Sequence, residues 1–77
     1  MEQSKTMAQI PLMQLCKVEE IQGADTLRLM DLGFFPGSSV MPYYRCMHGG
    51  TRIYRVKGTL IALRDRDAEQ IQARVVD

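Results

Sequence analysis

The chain has little with which to do chemistry: one histidine, two cysteines thirty positions apart, and no phosphate-cradling glycine loop. No G-x-x-x-x-G-K-[ST] segment is present, which excludes a P-loop nucleotide site. A nucleophile–base pair would have to be built from Cys46 and His48, with no third group in sight to orient them. The neighbouring carboxylates, Glu19 with Glu20 and Asp65 with Asp67, sit in charged surroundings that do not suit a paired acid–base site. The chain therefore reads as a non-enzyme with no catalytic residues.

Long apolar runs are missing as well. The longest uncharged stretch, 32–44, is broken by prolines, glycines and serines, and a bilayer-spanning helix needs roughly 20 apolar residues. The first nine residues have no apolar core and do not read as a signal peptide. The expectation is a cytoplasmic protein without direct membrane insertion. Cys16 and Cys46 share no local motif and are expected as free, partly buried thiols in a reducing compartment.

What is present is an ordinary globular composition, 45% hydrophobic and 25% charged over 77 residues. That length gives one domain of modest stability, because a chain this short buries only about 60% of its unfolded surface. The net charge of +1 conceals an asymmetry. Residues 41–66 carry Arg45, Arg52, Arg55, Lys57, Arg64 and Arg66 against Asp65 alone, while both flanks are acidic. A basic middle of this kind is either a solvated hairpin or a surface for a negatively charged partner.

Along the chain, 1–9 has no period and reads as a flexible tail, leaving 10–77 as the domain. Leu12 and Leu15 are expected to face inward from a short turn. Residues 16–22 alternate as a first strand. Asp25 is placed to cap a helix over 25–32 that Leu27, Met30 and Leu32 would pin to the core. Gly33 sits at the C-cap, and Pro36-Gly37 makes a turn. A strand over 38–46 contains Pro42, which implies an edge or a bulge. Residues 47–50 are a loop, and 51–57 return as the second arm of a hairpin. Gly58 turns the chain into 59–64, whose four consecutive apolar residues suggest a strand buried on both faces. A helical turn over 65–70, capped by Asp65, precedes a last strand at 71–75. About five short strands and one early helix point to a mainly β fold, a small barrel whose closure would remove exposed edges.

Two segments give this pattern a family likeness. Arg28-Leu29-Met30-Asp31-Leu32-Gly33-Phe34-Phe35-Pro36-Gly37 resembles the R-L-x-[DE]-[LM]-G-x-x-P-G segment of FeoA proteins. Val56-Lys57-Gly58, then Ile61-Ala62-Leu63-Arg64 and Ala68, resemble the V-x-G…A-L-R-x-x-x-A pattern of the same family. The likeness covers residues 11–76. It implies an SH3-like barrel and an accessory role beside FeoB, a ferrous-iron permease with a cytoplasmic GTP-binding domain. A similar fold forms a regulatory module in iron- and manganese-responsive repressors. The chain departs from the family at two places: the K-P-G-E-like turn after the first leucine is missing, and the hairpin tip is Arg45-Cys46-Met47-His48-Gly49-Gly50 instead of A-P-L-G-D-P.

The partner-binding set expected from these residues is Phe35, Tyr43, Tyr44, Arg45, Arg52 and Arg55. Aromatic residues would supply anchoring area, and arginines would supply charge for association. Two other readings use neighbouring residues. Tyr43, Tyr44 and Tyr54 among the arginines could stack single-stranded RNA, although a chain with almost no net charge is not expected to be a dedicated nucleic-acid binder. Cys46 and His48 are weak ligand candidates for Fe²⁺ or Zn²⁺ in a metal-responsive subunit, short of the three ligands a tight site wants. Neither gives grounds to expect a resident cofactor. Exposed apolar spots near the hairpin also leave room for a homodimer.

Overall fold

The computed structural model describes residues 4–47 and 49–76. Six antiparallel strands form one sheet in the order β1-β6-β2-β3-β4-β5, with β1 at Lys5–Thr6, β2 at Cys16–Ile21, β3 at Ser39–Arg45, β4 at Thr51–Val56, β5 at Thr59–Arg64 and β6 at Ile71–Val75. Two short helices, α1 (Thr26–Asp31) and α2 (Asp65–Ala68), and a 3-10 turn at Met7–Gln9 complete it. The sheet is not closed: β1 and β5 are its edges.

The core is filled by inward side chains of β2 to β6, by α1 and α2, and by the 3-10 turn with Ile10 after it. Tyr54, Phe34, Met7, Ile10, Leu29, Ile71, Val40 and Val56 are all essentially inaccessible. Phe34 meets Tyr54 edge-on, with ring centres 6.0 Å apart and planes at 89°, a geometry aromatic quadrupoles favour.

The turn chemistry follows the sequence closely. At the end of α1, Phe34 N–H reaches the Leu29 carbonyl (3.1 Å) and Gly33 N–H the Met30 carbonyl (2.9 Å). That is a Schellman closure, with Phe34 and Leu29 as its buried apolar pair. Gly33 has φ +112°, and a Cβ there would lie 2.9 Å from Val56 Cγ1, so glycine is needed for both conformation and space. Ser38 N–H then closes onto the Phe35 carbonyl at 2.9 Å across Pro36-Gly37, with Gly37 at φ +93°, a type II turn. Pro42 lies where the β3–β4 register shifts between Pro42 and Tyr44, so the bulge expected of it is present.

Several placements differ from the sequence reading. Lys5–Gln9, read there as part of a loose tail, forms β1 and the 3-10 turn and buries Met7 completely; residues 1–3 lie outside the described residues. Leu29 alone of α1 is fully buried, whereas Leu27 is 79% exposed and Met30 and Leu32 are more than a third exposed. The helix has only six residues, so a single side chain points squarely inward and the i, i+3 pattern has no second turn to act on. Leu12 and Leu15 are also exposed; Ile10 carries that segment's burial. Asp25 stands at the α1 N-cap without a side-chain cap bond, and its carboxylate accepts from Gln70 Nε2 (3.1 Å) instead. Asp65 is the first residue of α2, not its cap. Finally, β5 is an edge strand with only Leu63 buried, so its apolar run does not mark burial on both faces.

Candidate interaction face

Strand β4 sends its side chains alternately to the two sides of the sheet, as any strand must. Arg52, Tyr54 and Val56 point into the core, while Thr51, Ile53 and Arg55 point out. The two arginines of this strand therefore have opposite roles.

Arg52 is 5% exposed. Its guanidinium donates to the backbone carbonyls of Ile10 (2.8 Å), Ala8 (3.1 Å) and Met7 (3.4 Å). The Met7 carbonyl, at the start of the 3-10 turn, also accepts from Ile10 N–H at 3.3 Å, whereas the Ala8 and Ile10 carbonyls lie further along, where backbone acceptors lose their internal partners. Arg52 thus fastens the N-terminal segment to the sheet and cannot serve as surface charge. The guanidinium also lies 5.2 Å from the Tyr54 ring centre. Burial pushes the Tyr54 phenol up from its ordinary value, with Arg52 pulling the other way. Arg52 Nε, Tyr54 Oη and Asp65 Oδ1 are buried and have no hydrogen-bond partner among the described residues.

Outside, the register aligns two rows across β3, β4 and β5. Met41 pairs with Arg55 and Arg55 with Leu60; Tyr44 pairs with Ile53 and Ile53 with Ala62. Tyr44 and Leu60 are each about half exposed, at 51% and 54%. Arg55 Nη1 donates to Tyr43 Oη at 2.9 Å, which orients both side chains on this face. Lys57 has φ +52° in the β4–β5 turn, and its ammonium sits 4.0 Å from the Phe35 ring centre, a cation–π contact worth about 0.5–1 kcal/mol at an exposed site. Leu15, Ser39, Met41, Arg55, Lys57 and Gly58 line a shallow groove between these groups.

Of the residues expected to bind a partner, Tyr43, Tyr44 and Arg55 gather on this face, and Phe35 joins it as the platform under Lys57. Arg45 is turned toward α2, paired with Asp65 at 3.0 Å, and Arg52 is inside. Lys57, which the sequence places in the basic middle but not in the partner-binding set, and Leu60 also belong to the face. Counting across the two-residue turn at Lys57-Gly58 would have set Leu60 opposite Arg55.

Both cysteines are free thiols. Cys16 is fully buried; its Sγ lies 3.4 Å from the Val40 carbonyl oxygen and 3.6 Å from Met7 Sδ. Burial pushes this thiol up to about 11, with Arg52 acting weakly in the opposite sense, so at neutral pH it is protonated and unreactive. Cys46 is half-buried at the hairpin tip, and His48 lies outside the described residues. Among the described residues, no three His, Cys, Asp or Glu side chains come together as a metal cluster, and no helix is long and apolar enough to cross a membrane.

The Arg28–Gly37 segment is accounted for by packing. Arg28 bridges α1 to α2 through Asp67 at 3.2 Å and also approaches Asp25 at 3.7 Å. Gln70 Oε1 accepts from the Asp25 N–H at 3.2 Å.

Comparison with known proteins agrees with this fold. FeoA from Stenotrophomonas maltophilia, solved in complex with zinc and described as a procaryotic SH3 domain protein, is 30% identical, with a TM-score of 0.77 over 88% of this chain and 87% of that one. A FeoA-like protein from Clostridium acetobutylicum superposes with a TM-score of 0.88 at 20% identity, over 100% of this chain and 92% of that one. FeoA from Chlorobium tepidum gives 0.83 at 20% identity, over 94% and 70%. No curated protein matches the chain. The FeoA domain profile matches residues 5–75, which takes in β1 through β6 and includes the segment fastened by Arg52. With its turns, its sheet and nearly its whole length accounted for, the chain belongs to the FeoA domain family.

Proposed function

We infer that this protein is a non-enzymatic accessory of bacterial ferrous-iron transport that docks, in the cytoplasm, on the GTP-binding part of a FeoB-type permease. The S. maltophilia relative is itself described in terms of ferrous iron transport activation. The observation that carries the reading for this chain is its outer face. Tyr44, Leu60 and Met41 offer apolar area, Arg55 and Lys57 offer positive charge, and β4 and β5 contain no carboxylate.

A face of this make-up suits a protein surface with apolar contacts rimmed by acid groups. Apolar area gives the complex its lifetime, and charge speeds its formation. The stacked Lys57 and the Tyr43-bound Arg55 are held in place before binding, which lowers the entropy lost on docking. The RNA reading loses part of its support, because Arg52 and Tyr54 are inside and unable to reach phosphate or base.

The test is a titration of the isolated FeoB GTP-binding domain with this protein. Binding by the wild type that weakens about tenfold in Arg55→Glu, with thermal stability retained, is the expected result. No binding by the wild type would overturn the transporter reading.

A further inference from the structure

Closure of a barrel would have hidden both edges of the sheet; here it does not occur, and the two edges differ. β1 has two residues, too few to recruit a neighbour. β5 has six, contains no proline and pairs with β4 through six consecutive positions without a register shift. Natural edge strands are usually protected by shortness, proline, a bulge or a charge in mid-strand. β5 has none of these between Thr59 and Leu63.

The direction of its backbone groups follows from the turn. Lys57 and Gly58 both have positive φ, at +52° and +78°, so Val56 and Thr59 close a two-residue hairpin of the I′ kind. The closing pair exchanges hydrogen bonds, and bonded and non-bonded pairs then alternate along an antiparallel ladder. Thr59, Ile61 and Leu63 therefore face β4, and the N–H and C=O of Leu60 and Ala62 face away from it. Among the described residues, no hydrogen bond outside the ladder reaches either residue's backbone, and both residues are exposed.

We propose that β5 is a strand-addition site, which takes up an extended acidic-and-apolar segment of a partner protein through the backbone of Leu60 and Ala62. Charge decides the occupant. From Thr51 to Arg64 the hairpin carries Arg52, Arg55, Lys57 and Arg64 and no carboxylate. With Arg52 inside, Lys57 stands at the start of the open edge and Arg64 at its end, while Arg55 lies one strand in, opposite Leu60 and bonded to Tyr43. A second copy would bring the two edge cations to the seam again, whereas an acidic strand neutralises them. Main-chain bonds would supply affinity and the alternate side chains specificity, as in other strand-addition complexes. The added strand would continue the Tyr44–Ile53–Ala62 row and enlarge the outer apolar face.

The inference rests on the docking reading only for which protein supplies the strand. Its test uses a synthetic probe, so either can fail while the other stands. A capped hexapeptide alternating glutamate and valine is titrated into the full chain, and amide shifts and hydrogen exchange are followed by NMR. The expected result is a shift and slowed exchange confined to Leu60, Ala62 and their neighbours on β5. The same peptide with lysine for glutamate should bind about tenfold more weakly or less, from charge reversal alone. Ala62→Pro removes an N–H that β4 does not use, and should abolish the response while leaving the β3–β4 amide shifts in place. Shifts spread over Met41 and Tyr44 without slowed exchange at Leu60 and Ala62 would overturn strand addition. So would equal binding of the lysine peptide. A chain that sediments as a dimer with Leu60 and Ala62 already protected would give the edge to a second copy, which also overturns the proposal.

Discussion

The inner and outer faces of β4 each carry one arginine, and the two do different work. Inside, Tyr54 and Val56 fill the core and Arg52 fastens the N-terminal segment to the sheet; outside, Ile53 and Arg55 present themselves to solvent between Tyr44 and Leu60. An arginine within hydrogen-bond reach of three carbonyls is a fastening, whereas one held by a single tyrosine hydroxyl at the surface is available to a partner. What separates the two roles is which side of the sheet a side chain leaves from, and charge by itself says nothing about it.

The largest effect expected from breaking this comparison is at Arg52. Arg52→Glu places a carboxylate against three carbonyl oxygens and should destabilise the fold by about 3–5 kcal/mol, the range for an uncompensated buried charge. Arg55→Glu should change stability by no more than about 0.5–1 kcal/mol. Urea denaturation of the two variants side by side measures the difference. A charge-reversal experiment that changed both at once would report unfolding as lost binding.

The same contrast holds on α1. Leu29→Ala should cost about 2–4 kcal/mol, as expected for a buried leucine, and Leu27→Ala, at 79% exposure, about 0.5 kcal/mol or less. Equal losses would show that the exposed stripe is packed after all.

A smaller effect separates the faces by pH. The Cys16 thiol is raised from an ordinary 9.0 to about 11 by burial. A raised pKa means that the native state keeps a proton the unfolded chain gives up, so stability is fully present below pH 9 and falls between about pH 9 and 11. Tyr54 is raised too, and adds to the fall above its ordinary 10. Denaturation midpoints across that range should drop less steeply for Cys16→Val than for the wild type. A surface substitution that removes no titratable group, such as Leu60→Ala, should leave the slope unchanged.

How much of this could be read from the sequence depended on how local the signal was. Gly33, Pro36-Gly37 and the Pro42 bulge are each fixed by the backbone needs of one or two residues, and they stand where expected. Arg52 is not placed by the sequence, because β4 has an arginine and apolar residues on both parities and alternation alone leaves open which side is inside. Its shared parity with Tyr54 and Val56 was the available clue. The apolar run of β5 looked like a strand buried on both faces, yet its burial depends on the order of strands in the sheet, a non-local property. Lys5–Gln9 carries no period at all; its order comes from Met7 entering the core and from Arg52, forty-five positions away, binding its carbonyl. Of the expected docking residues, Tyr43, Tyr44 and Arg55 share the outer face, and Leu60 joins them only once the β4–β5 register is known.

On the proposed reading, the outer face of β3, β4 and β5 is where this protein meets its partner. Isothermal titration of the FeoB GTP-binding domain with wild type, with an Arg55→Glu, Lys57→Glu double variant, and with Tyr44→Ala tests it most directly. Expected are wild-type binding, a loss of about tenfold or more in the double variant with a slower association, and a smaller loss in Tyr44→Ala, with both variants still folded at the temperature of the titration. Wild-type binding that all of these fully folded variants retain at full strength would contradict it.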